Sequence, residues 1–125
     1  EVLLQRKIPD EEAMHQAVRD LSAWGSKAVL LKGGHREDKE CIALLYTRDG
    51  DRCLSLKADY VSTVNNHGTG CTLSSAVAAY LAHGLDMEEA VRRAKEYITR
   101  AIRAGAGYRL GHGHGPVHHF VGIWE

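Results

Sequence analysis

Charge of one sign is not in excess here: 16 Lys and Arg face 16 Asp and Glu in a chain of 125 residues. Such a balance creates no field to gather nucleic acid or an anionic membrane surface, so neither is expected as a partner. Long apolar runs are missing too. The longest, Ala76 to Ala82, falls far short of the ~20 residues a helix needs to cross a bilayer. No basic segment leads into an apolar one as in a secretory leader, and the cytoplasm is the expected compartment. Cysteine is scarce. Cys41, Cys53 and Cys71 are odd in number, and their spacings fit no zinc framework, so they read as reduced thiols. Aromatics make up 6% of the chain, and Tyr80 and Tyr97 read as surface or packing residues of helices, not as a platform for nucleobases. What is present is 44% hydrophobic residues, enough to build the core of one domain.

Ile8-Pro9-Asp10 is a helix start: Asp10 can cap free N–H groups, with Glu11 and Glu12 in the positive first turn. Met14, Ala17, Val18, Leu21 and Trp24 recur at helical spacing, which predicts a helix over 10–24 with one buried stripe, ended by Gly25. Lys27 to Lys32 is a short apolar run, expected as a strand buried on both faces in a parallel sheet. No parallel neighbour for it follows in the chain. Cys41 to Thr47 and Arg52 to Ala58 flank Arg48-Asp49-Gly50-Asp51, which predicts an antiparallel hairpin at a sheet edge. Its alternation predicts that Leu54, Leu56 and Ala58 face a core while Ser55 and Lys57 do not. Thr72 to His83 is a helix rich in small residues. Met87 to Ala104 is another, with Ala90, Val91, Ala94, Ile98, Ala101 and Ile102 inward and Glu88/Arg92 and Glu89/Arg93 as ion pairs four residues apart. The tail, with five glycines before Pro116 and four histidines, is an irregular loop.

The chemistry concentrates in His67-Gly68-Thr69-Gly70-Cys71, between an extended segment and a helix N-terminus. Two glycines let successive backbone N–H groups converge, and the helix dipole adds positive charge; together they suit an anion, such as a phosphoryl group in transfer. The spacing and lysine of a Walker A loop are absent. Taken bare, the Gly-Thr-Gly turn is equally compatible with a purely structural bend. A cysteine in the first turn of a helix has its thiolate favoured; such a thiol can accept a proton from a substrate hydroxyl or simply pack there.

The run Asn65-Asn66-His67-Gly68-Thr69-Gly70-Cys71-Thr72-Leu73-Ser74-Ser75-Ala76 closely resembles the signature of hydroxymethylpyrimidine/phosphomethylpyrimidine kinases of the ribokinase-like superfamily. Most sugar kinases of that superfamily carry Asp, the catalytic base, where Cys71 stands. The resemblance extends in one collinear order to Leu30-Leu31-Lys32-Gly33-Gly34-His35 and to Gly113-His114-Gly115-Pro116 with Phe120. It implies an α/β fold, the C-terminal half of a Rossmann-like three-layer αβα domain. It further implies ATP and Mg²⁺ as cofactors and a pyrimidine alcohol or its phosphate as substrate, in thiamine biosynthesis. By the same resemblance Gly68, Thr69, Gly70 and Cys71 form the anion hole and Cys71 takes the substrate's proton. Lys32, Gly34, Thr69 and Thr72 would lie along the nucleotide. Lys32 also reads as a lysine snorkelling from a strand end, and the two threonines as helix caps.

The family is about twice as long, so residues 1–125 are expected to be the C-terminal part of a single kinase domain whose N-terminal half is absent. The missing half carries the family's Gly-rich substrate loop and an Asn-x-x-Glu motif that organises Mg²⁺; no metal ligand is expected in this chain. The chain opens without an initiator Met, and Glu1-Val2-Leu3-Leu4 matches the end of a family stretch that closes Leu-Leu-Gly, with Gln5 in place of the Gly. The chain alone is expected to be inactive, and an open sheet edge is expected to drive self-association into a homo-oligomer. Two other readings stand beside this one: a pyridoxal/pyridoxine kinase of the branch that carries Cys, and a non-catalytic phosphate- or nucleotide-binding domain. His112, His114, His118 and His119 invite a metal, but glycine-rich surroundings preorganise no site, and the resemblance makes the tail a flap on the nucleotide side. His35 and His67 both abut glycine turns and are expected closer to the site than the tail histidines; either could equally fix loop geometry by hydrogen bonding to backbone.

Overall fold

The computed structural model describes residues 1–33 and 40–124, with Glu40 described in its backbone alone. By its contacts the chain divides into two compact units, Glu1–Tyr60 and Val61–Glu125.

In the first unit, Asp10 accepts a hydrogen bond from Ala13 N–H at 2.7 Å and so caps α1, Glu11–Ser22. The stripe expected along this helix is buried at Met14, Ala17 and Val18. It does not reach Trp24, which lies beyond the last turn and is 63% exposed. Three strands follow, β1 (Ala28–Lys32), β2 (Glu40–Thr47) and β3 (Arg52–Asp59), in the order β1-β2-β3. Val29 sits opposite Tyr46 and Leu31 opposite Leu44. Leu44 and Tyr46 pack with Met14 and Val18 of α1, and Val29, Leu31, Ile42 and Cys53 close around them.

The hairpin of β2 and β3 is antiparallel, as its turn residues require. Leu56 is buried, Leu54 and Ala58 half-buried, and Ser55 and Lys57 exposed, so the alternation holds. The parallel sheet expected around β1 is not what forms among the described residues: β1 pairs antiparallel with β2 and is half-buried along most of its length. An apolar run records that a strand has covered faces and says nothing about the direction of its neighbour. The central strand is β2, with Ala43, Leu44, Leu45 and Tyr46 all buried.

Two local features of this unit carry consequences. Gln5 N–H donates to Val2 O at 3.2 Å and Arg6 N–H to Glu1 O at 3.3 Å, the pair of bonds that closes helix C-termini around a left-handed residue. That residue is Gln5, at φ +49°, the position where the kinase pattern has Gly. At the hairpin tip, Arg19 Nε donates to Asp51 Oδ1 at 3.2 Å. This bond, with a smaller contribution from the Tyr46 hydroxyl, holds the Asp51 carboxyl below its ordinary range.

The second unit is a helix pair, α2 (Thr69–Ala82) and α3 (Met87–Gly105), with an extended segment before it and a tail after it. Asp86 caps α3 by accepting from Glu89 N–H at 2.8 Å. The inward stripe of α3 is buried at Ala90, Val91, Ala94, Ile98 and Ala101. On its outer side Arg92 meets Glu88 at 3.2 Å and Arg93 meets Glu89 at 2.7 Å.

The tail is irregular but tied down. His118 N–H donates to Ala101 O at 2.9 Å, His67 N–H donates to Gly115 O at 3.0 Å, and His67 forms an isolated parallel bridge with Pro116. Asn65, 2% exposed, holds this junction. Its amide donates to Gly105 O at 2.8 Å and to Tyr108 O at 2.6 Å. Gly115 passes so close that a Cβ there would meet Asn65 Oδ1 at 2.1 Å. No helix among the described residues is long and apolar enough to cross a membrane.

Three outcomes are expected. Gln5→Gly should stabilise the protein by about 1 kcal/mol, because the left-handed backbone costs an L side chain about that much; a denaturation midpoint that falls would contradict it. Asp51 ionises more easily when folded, so its contribution is full above the ordinary carboxylate range and fades as pH falls through its lowered pKa. Asp51→Asn should therefore flatten the acid limb of the stability–pH curve, and an acid limb as steep as before would contradict it. Gly115→Ala should cost about 1–3 kcal/mol, the range for overpacking, and an unchanged midpoint would show that the junction yields freely.

Candidate functional site

The loop that leads into α2 is built from conformations only certain residues accept. Gly68 is the N-cap of the helix and sits at φ +79°, in the left-handed region. Lacking a side chain, it makes no capping hydrogen bond. The first N–H groups of a helix have no carbonyl one turn back, so those of Gly70 and Cys71 are left pointing out of the N-terminus. Thr69 N–H makes only a long turn contact of 3.4 Å to Asn66 O. The loop closes on the helix through Thr72 N–H, which donates to Gly68 O at 2.8 Å. Unpaired N–H groups and the helix dipole together favour a bound anion.

Cys71 lies in this first turn with its side chain exposed. The structure thus brings Gly68, Thr69, Gly70 and Cys71 together in one turn. Thr69 Oγ1 donates to Asn66 O at 2.6 Å, so in this arrangement its proton is committed to the loop's own backbone. Thr72 Oγ1 shares a hydrogen bond of 3.0 Å with His119 Nε2. Ser74 Oγ donates back to Cys71 O at 3.0 Å, a local bond that uses its only proton.

Beside the loop runs an open groove of about 540 Å³. One face of α2 supplies Cys71, Thr72, Ser75, Ala76, Ala79 and Tyr80; Tyr97 of α3 and His119 of the tail complete the lining. Positions 72, 76 and 80, with 75 and 79, follow helical spacing, a signal that marks them as one face but not as the face of a groove. Tyr80 and Tyr97 read from sequence as surface or packing residues, and His119 as one histidine among four. Its place beside Cys71 comes from a contact between residues 47 apart in sequence.

Lys32 ends β1 in the first unit and is exposed. Gly34 and His35 fall outside the described residues. His67 contributes its backbone N–H to the junction with Gly115. The tail histidines have separate partners: His114 Nδ1 donates to Val64 O at 3.3 Å, and His118 Nδ1 accepts from Phe120 N–H at 3.3 Å. Among the described residues no group of three or more His, Cys, Asp or Glu side chains is gathered to hold a metal ion.

The family model for phosphomethylpyrimidine kinase matches residues 1–118. A hydroxymethylpyrimidine/phosphomethylpyrimidine kinase from Rhizobium meliloti is 45% identical over 116 residues, which is 93% of this chain and 43% of that protein. The thiamine biosynthesis bifunctional protein ThiED from Geobacter sulfurreducens is 45% identical over 121 residues, 97% of this chain and 24% of that one. The chain thus spans less than half the length of these curated relatives. Among solved structures, the ADP complex of Bacillus subtilis pyridoxal kinase superposes with a TM-score of 0.86 at 30% identity, covering 96% of this chain and 44% of that one. The fold is accordingly α/β and ribokinase-like, with an antiparallel sheet in its first unit. With a family model matched along nearly its whole length, the chain belongs to the phosphomethylpyrimidine kinase family.

Proposed function

We propose that this chain is the C-terminal, phosphate-binding part of a single kinase domain about twice as long. That enzyme transfers the γ-phosphoryl group of ATP to hydroxymethylpyrimidine, to its monophosphate, or to both, in thiamine biosynthesis. The observation that carries the reading is the uncapped start of α2, where Gly68 at φ +79° leaves N–H groups free and places exposed Cys71 in the same turn. In the proposed reaction the substrate's hydroxyl O–H bond breaks and its proton passes to the Cys71 thiolate. The oxygen forms a bond to the γ-phosphorus, and the bond from that phosphorus to the bridging oxygen breaks, releasing ADP. The N–H groups of Gly68 to Cys71 receive the charge that develops on the transferring group, the usual source of rate in phosphoryl transfer. Lys32, Gly34, Thr69 and Thr72 complete the nucleotide side, and Mg²⁺ bound to ATP offsets its phosphate charge. For the 125-residue chain by itself, the edge of β1 that no described strand pairs supports self-association as a homo-oligomer, and the cytoplasm is the proposed compartment of the enzyme.

A second reading, pyridoxal as the substrate alcohol, is supported by the structural likeness to the Bacillus subtilis pyridoxal kinase. Both alcohols are hydroxymethyl groups on an aromatic nitrogen ring, so the loop in this chain serves either.

The test is ATP consumption by the full-length kinase with each alcohol. Cys71→Ala should lower kcat by about 10²–10⁴-fold, the usual worth of a general base. Cys71→Asp should keep more of the activity, because a carboxylate also accepts a proton. Undiminished turnover by Cys71→Ala would contradict the reading. Faster turnover of pyridoxal than of hydroxymethylpyrimidine would select the second substrate, and nucleotide binding with no turnover of either would leave a phosphate-binding domain. The 125-residue chain alone should show no turnover.

A further inference from the structure

The three helices among the described residues do not begin alike. Asp10 caps α1 and Asp86 caps α3, each by accepting the third N–H of its helix. At α2 the cap is Gly68, and no side chain accepts there. A capping carboxylate would occupy the N–H groups that an anion must use and would repel it. The start of α2 therefore forgoes a stabilisation that Asp at an N-cap typically supplies, in the one turn whose geometry has to be held.

A contact that leaves those N–H groups free comes from the side. Thr72 Oγ1, one residue after Cys71, shares its 3.0 Å hydrogen bond with His119 Nε2. The direction of that bond depends on the imidazole tautomer; either tautomer can make it, since the hydroxyl both donates and accepts. His119 is itself anchored on α3. Tyr97 OH donates to His119 O at 2.7 Å, and the preceding residue, His118, donates its N–H to Ala101 O at 2.9 Å. Phe120 N–H donates to His118 Nδ1 and Val121 N–H to His118 O at 3.2 Å, which makes the tail a tight turn at this point. A chain of hydrogen bonds thus runs from the body of α3 through the tail to the first turn of α2.

We propose that His119 is a positioning residue: anchored on α3, it holds Thr72 and so fixes the first turn of α2, taking the place of the side-chain cap that an anion-binding loop cannot carry. Its catalytic consequence rests on the kinase reading above; its mechanical consequence does not. Amide hydrogen exchange in the full-length protein measures the latter. In His119→Ala, exchange at Thr72 and Leu73 should quicken about tenfold, the worth of one net hydrogen bond, with little change in the global unfolding midpoint. Thr72→Val should produce the same rise, and the double variant no further rise. His119→Gln, whose amide nitrogen can reach the same hydroxyl, should restore protection. Tyr97→Phe, which frees the anchor and leaves the imidazole in place, should give a smaller rise. In turnover, His119→Ala should lower kcat severalfold with the KM for ATP nearly unchanged, and His119→Gln should recover most of it. Unchanged exchange in His119→Ala, additive effects of the two single substitutions, or no rescue by Gln would each overturn the proposal. No turnover of either alcohol by the full-length protein would overturn the kinase reading instead, and the exchange result would still decide the role of His119.

Discussion

The second unit hangs on a buried amide. Asn65 is one of two buried polar residues among those described, the other being Ser22. An amide taken out of water without partners costs about 1–3 kcal/mol, so Asn65 is tolerable only where the chain brings carbonyls to it. Gly105 O at the end of α3 and Tyr108 O just beyond supply them, and Gly115 leaves room on the other side. Three segments distant in sequence meet at this side chain: the extended run before the loop, the end of α3, and the tail. Once they meet, His67 can pair with Gly115 and Pro116, and the path of the chain into Gly68 is set.

From that point the loop has two conflicting demands. It must leave backbone N–H groups free at the start of α2, and it must keep them in place. Gly68 satisfies the first by reaching φ +79° and offering no side chain. The second falls to contacts behind and beside the helix: Asn65 on the incoming side, and His119 through Thr72 on the outgoing side. Such support from outside the reacting groups is what a preorganised electrostatic site requires, since catalysis of this kind lies in donors already aimed when charge develops.

The parts of this account that were legible in the sequence are local ones. Asp10 before two glutamates marks a capped helix whatever follows, and the ion pairs of Arg92 and Arg93 follow from spacing alone. The loop from Gly68 to Cys71 is legible because its glycines and its place before an apolar helix are contiguous. Illegible were features set by partners far along the chain. The apolar run of β1 reports covered faces, but not that its described neighbour is β2 and runs antiparallel to it. Trp24 fits the stripe of α1 by spacing, but the helix ends at Ser22 before it can turn inward. The importance of Asn65 and His119 depends on residues 40 to 47 positions away, which no periodicity reports.

The central claim is that the turn from Gly68 to Cys71 receives the phosphoryl group, and the thiol in that turn provides a direct probe. Cys71 is exposed, whereas Cys41 and Cys53 are half-buried, so a small alkylating reagent can follow each cysteine separately by mass spectrometry. With the full-length protein, a saturating non-hydrolysable ATP analogue and Mg²⁺ should slow alkylation of Cys71 at least several-fold while leaving the other two unchanged. Equal rates at Cys71 with and without saturating nucleotide would contradict the account, because the phosphate would then lie elsewhere.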